Sequence, residues 1–321
     1  MDRETVRKGL NPKAQSLFDD IVNSRVLGAG NHIRMIGEIL TLTAGKEWDS
    51  TEAFAGAVGS IAEFFKETRG SQSRAVYNAV CYYTKDLEVL AGLKVQEAAA
   101  RLAQRVAGYA AEAEKGLETL ARYGADLADP MDAVMIFDYS STVERFISRL
   151  KKRTAVYIPE SRALDGGRPF IKTAVEAGHE VHFIPDTAMY VELKKCQAAF
   201  IGAETVYPDG TVFNTVGSDI LAVLCRQEAI PLYALTPMIK VDTRPVYGYT
   251  RLSPMPFDYR SRLAENWEEE LKGQVDFRGI KLLKIRPEYI TALITERGIL
   301  PPAGFFGEAM DYARSLEGGM L

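Results

Sequence analysis

Apolar residues recur three and four positions apart from about residue 12 to residue 123. Beyond residue 132 they gather instead into short unbroken runs separated by amphipathic stretches. The first pattern is that of packed helices and the second that of buried strands alternating with helices. Asn11 before Pro12 supplies an N-cap and a proline at the first helical position, after which Leu17, Phe18, Ile21 and Val22 keep helical spacing. Leu27, Gly28, Ala29 and Gly30 open the backbone before a second helix carrying Ile33, Ile36, Ile39 and Leu40. A third helix is predicted over 54–65, with ETRG at 67–70 breaking it ahead of a fourth over 75–83. Residues 94–123, rich in Ala, Glu, Leu and Arg, read as one long helix or two joined.

The composition shifts at GADLADPMD, residues 124–132, where a proline ends the helical run. This predicts a helical domain over 1–128 and a second domain over 129–321. In the second, AVMIF precedes a helix over 140–152, AVYIP one over 168–178, VHFIP one over 188–195 and AAFIG one over 217–228, and PLYAL closes the series. Strands alternating with helices of this length make right-handed βαβ units and a doubly wound, Rossmann-like parallel sheet. The fold class is therefore α/β with a helical N-terminal domain. The tail reads as a solvated acidic stretch over 265–270 and a short helix over 289–297, stopped by GILPP.

Candidate chemistry is densest in AAFIGAETVYPDGTVFNTVGS, residues 198–218. AAFIG suits a strand buried on both faces, and ligands of open α/β sheets bind at the carboxyl ends of strands, so Glu204 is a site candidate on position alone. Pro208, Asp209 and Gly210 make a turn. Asn214 is placed to cap a helix beginning near Val216, and Gly217 lets a ligand approach its first amides. The amides of Gly28, Ala29 and Gly30, at another helix start, offer an anion the same physics.

With 321 residues and 47% apolar content the chain buries a sizeable core, and a net charge of -4 gives no basic footprint for nucleic acid and no polybasic membrane patch. Direct nucleic-acid and membrane partners are not expected. Cys81, Cys196 and Cys225 are odd in number and never spaced CxxC, which suggests neither a disulfide framework nor a zinc site. His179 and His182 have no carboxylate at ligand spacing and read as solvated or packing residues, so no metal is expected. MDRETVRKGL lacks the apolar centre of a signal peptide and no run approaches the length of a membrane span, so a cytoplasmic location is expected. No GxGxxG follows the first strand and no GxxxxGK[ST] occurs, so neither a nicotinamide cofactor nor a P-loop nucleotide is expected, and no cofactor is assigned.

GAGNHIR at 28–34 resembles the motif RGAGxIxR, and ETRGSQSRAVYNA at 67–79 resembles STRPTAVxLxNA. Glu160, Ser161 and Arg162 with Gly167 resemble ETRP followed by a glycine, and GAETVYPDGTVFNTVGS resembles GADxIxxNGxVxNKIGT. With the closing PEYITALITERGILPP, these five stretches resemble, in order and over most of the chain, the initiation factor 2B alpha/beta/delta family. That family also contains methylthioribose-1-phosphate isomerase and ribose-1,5-bisphosphate isomerase.

In the isomerases the family pattern implies a sugar phosphate held by the Arg-Gly-Ala run, the Arg of STRP, the Asn-Lys of NKIG and, for the bisphosphate enzyme, a Lys after the fifth strand. Gly28, Ala29, Arg69, Asn214 and Lys240 keep that pattern, whereas Leu27 and Thr215 stand where two cations were implied. Each missing cation removes a charge-assisted hydrogen bond worth about 1.5–3 kcal/mol, unless Arg25, Arg34 or Arg74 substitutes. The resemblance also implies a Cys after the first strand and the Asp of GAD as the acid–base pair of aldose–ketose conversion. Tyr139 and Glu204 occupy those places. A phenol of reference pKa about 10 is a poor base at neutral pH, and one extra methylene displaces a carboxylate by about an ångström. Asp138 is a substitute base by position, or a cap for a helix starting near Ser140. Tyr-Ser after the first strand and Gly-Ala-Glu after the fourth are similar to the non-catalytic regulatory subunits of the family.

The expectation is a sugar-phosphate-binding protein on the isomerase fold, a homodimer or higher homo-oligomer. Arg69, Asn214, Lys240 and the amides of Gly28, Ala29 and Gly30 would hold phosphate, and Glu204 and Tyr139 would contact sugar hydroxyls. Two alternatives stand beside it. One is an active isomerase of a pentose 1-phosphate, of the ribose 1,5-bisphosphate, methylthioribose 1-phosphate or deoxyribose type, that uses Glu204 with Asp138 or Tyr139. The other is an assembly subunit of translation initiation acting through exposed apolar tail residues such as Leu300, Phe305 and Phe306.

Overall fold

In the computed structural model, which describes residues 2–26, 28–249 and 256–316, the chain divides into two compact units. Leu27, where a cation was implied, lies outside the described residues. The first unit holds the described residues up to Lys115 with Ile239–Val241 and 310–316, and the second holds Gly116–Met238 and the described part of Asp242–Ala309.

The first unit is built from α1 (Arg3–Lys8), α2 (Pro12–Val22), α3 (Ala29–Ala44), α4 (Thr51–Gln72), α5 (Arg74–Thr84), α6 (Leu87–Ala91) and the beginning of α7 (Val95–Ala128). Asn11 caps α2 as the sequence predicts, its side chain accepting from the Ala14 amide at 2.8 Å. The apolar helix faces meet in a core around Phe18, Phe54, Phe64 and Phe65, with the rings of Phe18 and Phe64 4.9 Å apart. α4 runs straight through ETRG, where a break was predicted. Gly70 is buried in the helix against Tyr77, so close that a Cβ would stand 3.1 Å from that side chain. The glycine serves packing, and the chain turns only at the extended Ser73.

The second unit alternates strand and helix: β1 (Ala133–Phe137), α8 (Ser141–Ile147), β2 (Ala155–Pro159), α9 (Pro169–Glu176), β3 (Glu180–Ile184), α10 (Met189–Leu193) and β4 (Ala198–Ile201). A hairpin of β5 (Thr205–Val206) and β6 (Val212–Thr215) leads to α11 (Ser218–Gln227) and β7 (Leu232–Leu235). There follow β8 (Pro256–Asp258), α12 (Arg260–Leu263), α13 (Glu269–Gln274), β9 (Arg278–Ile280), β10 (Leu282–Ile285), β11 (Ala292–Thr295), β12 (Gly298–Leu300) and α14 (Pro302–Leu316).

Seven strands form one sheet in the order β12-β11-β7-β4-β1-β2-β3, every pair parallel except β11 with β12. The α/β class with a helical N-terminal region is thus as the sequence implies. The rings of Phe146 and Phe200 meet at a tilt, centroids 4.5 Å apart, in the core beside Ile136, Ile158 and Leu235. The strand order reverses between β1 and β4, and at such a switch point an open α/β sheet leaves a crevice beyond its carboxyl ends. β5, β6 and β10 make a separate antiparallel sheet.

The tail departs from its predicted form. The helix expected over 289–297 is strand β11 and the turn into β12. All four residues of β11 are buried between β7 and β12, and a short apolar run buried on both faces has no periodicity that separates strand from helix. Phe305, expected at the surface, is fully buried, whereas Phe306 is half exposed.

Candidate functional site

The site in the second unit begins where β1 ends. Asp138 takes a left-handed conformation, φ 57°, and is 6% exposed. Its Oδ1 accepts from Ser161 Oγ at 2.8 Å, and the Thr215 hydroxyl and the Tyr139 amide also donate to the carboxylate. One carboxylate therefore ties the ends of β1, β2 and β6 together. Burial raises its pKa, with the donors and Lys281 opposing.

The capping role expected of Asp138 is not made. α8 starts at Ser141 with Ser140 at the N-cap position and no side-chain capping bond. Instead the loop after β2 folds over Asp138, so that a Cβ on Gly166 would lie 2.1 Å from Oδ1. Ser161, at φ 50°, is held there by Asp186, whose two oxygens accept the Ser161 and Arg162 amides at 2.8 Å each.

Tyr139 points its phenol at α8. The hydroxyl donates to Glu144 Oε2 at 2.9 Å, and Glu144 Oε1 accepts from Thr173 Oγ1 at 2.8 Å. Burial and then the Glu144 hydrogen bond push the phenol pKa up to about 12. Comparison of the parent with Tyr139→Phe in an ultraviolet titration should therefore reveal no tyrosinate from this residue below about pH 11, and Glu144→Gln should lower its pKa while burial, the larger cause, keeps it raised. Glu204 follows the end of β4, half-buried, with its amide donating to the Phe213 carbonyl at 2.8 Å. The ends of β1 and β4 are in contact there: a Cβ on Gly202 would stand 2.4 Å from Ser140 Cβ.

Asn214 is a strand residue rather than the predicted helix cap. It lies in β6 opposite Leu283, 7% exposed, and its Nδ2 has no hydrogen-bond partner among the described residues. The N-cap of α11 is Gly217, φ 100°, where a Cβ would meet the Phe137 ring at 2.6 Å, and this sets the start of α11 beside the end of β1. Ser218 Oγ and Ser140 Oγ are likewise buried without a partner among the described residues. Leaving such a group unsatisfied costs about 1–3 kcal/mol. The Gly217 amide itself donates to Asp219 Oδ1 at 3.1 Å.

In the first unit, Gly28, φ 95°, is the N-cap of the 16-residue α3, with no side chain capping it, so the amides of Ala29 and Gly30 lie in its first turn as expected. Arg69 has a role that its motif does not announce. Its Nη2 donates to the carbonyls of Ile21 and, at 3.1 Å, Val22, and to Ser24 Oγ at 3.0 Å. Those carbonyls end α2, where a cation offsets the helix dipole. Lys240 is half-buried in the turn Met238–Lys240. Sequence reasoning missed Ser218 and Asp186. Ser218 stands in the quoted NTVGS, and a serine just past a helix-start glycine was the available signal. His179 is a packing residue whose Nε2 lies 3.0 Å from the Ile147 carbonyl. Among the described residues, no three His, Cys, Asp or Glu side chains group to hold a metal ion, and no helix is long and apolar enough to cross a membrane.

Comparison with known proteins bears on the family and the fold. Two proteins called putative translation initiation factor eIF-2B subunit 2-like are similar to the chain. The one from Pyrococcus horikoshii is 28% identical over 59% of this chain and 65% of its own length, just under two thirds. The one from Pyrococcus furiosus is 25% identical over 91% of this chain and 98% of its own. A ribose 1,5-bisphosphate isomerase of Thermococcus kodakarensis is 24% identical over 94% of this chain and 97% of its own. The crystal structure of 5-methylthioribose 1-phosphate isomerase from Pyrococcus horikoshii shares the fold at a TM-score of 0.71 and 20% identity, covering 96% of this chain and 92% of that one. The model of the initiation factor 2 subunit family matches residues 29–302, and the chain belongs to that family.

Proposed function

We propose that this chain binds a sugar phosphate without converting it. The observation that carries this reading is the state of Tyr139. It stands where the family resemblance implies a catalytic thiol, its phenol is engaged by Glu144, and its pKa of about 12 keeps it protonated at neutral pH. Asp138, the other candidate base, has its carboxylate bonded to three donors beneath the loop carrying Gly166. A base must reach the proton it removes, and neither group is arranged to do so. What supports ligand binding is the pair of buried, unpartnered donors, Asn214 Nδ2 in β6 and Ser218 Oγ at the start of α11. Phosphate or hydroxyl oxygens of a ligand would satisfy them, Ser218 next to a favourable helix dipole. Glu204, at the switch-point crevice, would accept from sugar hydroxyls. Within the first unit, the amides of Ala29 and Gly30 and the Lys240 ammonium are the proposed phosphate donors, with Arg69 of α4 bracing the end of α2 beside them in sequence.

Thermal unfolding with and without ribose 1,5-bisphosphate tests this. A ligand at a hundred times its Kd stabilises by about 2.7 kcal/mol. Asn214→Ala should weaken binding about tenfold, by removing one hydrogen bond of about 1–1.5 kcal/mol. Equal stabilisation of parent and variant would remove Asn214 from the site. We also propose a homodimer, checked by light scattering on the eluting protein.

A further inference from the structure

We propose that Asn78 is a positioning residue for Lys240, a role that rests on the reading of Lys240 as an anion-binding residue. Asn78 lies in α5, 4% exposed, and its Nδ2 donates to two carbonyls: Ile239 at 2.9 Å and Val241 at 2.8 Å. Those carbonyls belong to the residues on either side of Lys240. A carboxamide carries two N–H groups on one nitrogen, and both are used here on a segment 161 to 163 positions away in sequence. Ile239 also packs against the apolar core of the first unit. The peptide group that precedes Lys240 and the one that follows Val241 are thus fixed by one side chain, which pins the backbone on both sides of Lys240 and with it the direction in which its Cα–Cβ bond leaves. A lysine carries its charge on a flexible four-carbon stem, so a fixed root narrows the volume its ammonium explores. Arg74 Nη2 approaches Asn78 Oδ1 at 3.5 Å, which orients the amide so that its nitrogen faces the two carbonyls.

A merely structural asparagine would also satisfy two carbonyls, and the behaviour of Lys240 separates the two roles. Lysines of the full chain are reductively methylated with carbon-13, and the Lys240 signal is assigned by its loss in Lys240→Arg. In ligand-free Asn78→Ala that signal is expected to move to the position of unrestrained lysines while the other lysine signals stay in place. Affinity of Asn78→Ala for ribose 1,5-bisphosphate should fall about tenfold, within the range for directly coupled neighbours. Adding Asn78→Ala to Lys240→Ala should then produce no further loss, because the first residue acts through the second. An unmoved Lys240 signal, or additive losses in the double variant, overturns the proposal. If Lys240→Ala binds as the parent does, the anion-binding reading of Lys240 fails, and the methyl signal still decides whether Asn78 positions it. Should Asn78→Ala not fold, Asn78→Gln keeps both N–H groups on a longer arm and is expected to shift the same signal.

Discussion

Gly167→Ala is expected to destabilise the protein by about 3 kcal/mol, lowering Tm by about 4–5 °C for a chain of 321 residues. A Cβ at this position would stand 2.1 Å from the Pro159 carbonyl oxygen, 3.0 Å from its carbon and 3.1 Å from the Glu160 carbonyl carbon. All three are backbone atoms, so no rotamer change relieves the clash. The Gly167 amide also donates to the Glu160 carbonyl at 3.1 Å, which holds the two segments in place. The alternative to strain is displacement of the loop that covers Asp138, so the variant should lose ligand affinity together with stability. Gly56→Ala is the control. That glycine lies within α4 with nothing within 4 Å of an added Cβ, and alanine there should stabilise by about 0.5–1 kcal/mol. Calorimetry of the two variants gives the comparison, and equal Tm values would show that the covering loop yields freely.

Asp138→Ala is expected to cost about 3 kcal/mol. It strands Ser161 Oγ, the Thr215 hydroxyl and the Tyr139 amide, each worth about 1–3 kcal/mol when left unpaired, and removing a buried charge offsets part of that. Asp138→Asn should be milder and should carry a pH signature. Burial holds the folded carboxyl above its ordinary value of 3.8, so the folded state keeps this proton to higher pH than the unfolded chain does. The stability Asp138 contributes is therefore full below the unfolded pKa and declines as pH rises through the folded pKa. In urea unfolding, the difference between parent and Asp138→Asn should shrink as pH is raised from about 4. A difference that grows would mean that the ionised carboxylate is the form the fold favours.

The strands and helices of the second unit were legible because AVMIF, AVYIP and AAFIG are apolar runs bounded by turn residues, and such runs need no tertiary information. The tail was not. Ala292–Thr295 are buried by strands 60 residues earlier and three later, and nothing local in ALIT distinguishes that from a helix. Asn214 failed as a cap for a related reason: β6 is held by β10, which arrives about 70 residues downstream. Gly70 reads as a breaker in any window, and only Tyr77 packing on it reveals why it sits inside a helix. Of the candidate site, the positions of Glu204, Asp138 and the two helix starts followed from the strand ends and glycines. The partners did not, since Ser161, Asp186, Glu144 and Asn78 reach their positions only through tertiary contacts.

We propose above that the protein binds a sugar phosphate and leaves it unchanged. A phosphorus NMR time course with ribose 1,5-bisphosphate, repeated with 5-methylthioribose 1-phosphate, tests it most directly. Ligand resonances are expected to broaden or shift with protein concentration, with no new ketose phosphate signal. Ketose phosphate resonances growing in proportion to protein would contradict it and make Glu204 the first residue to replace. Lines unaltered at every protein concentration would contradict the binding itself.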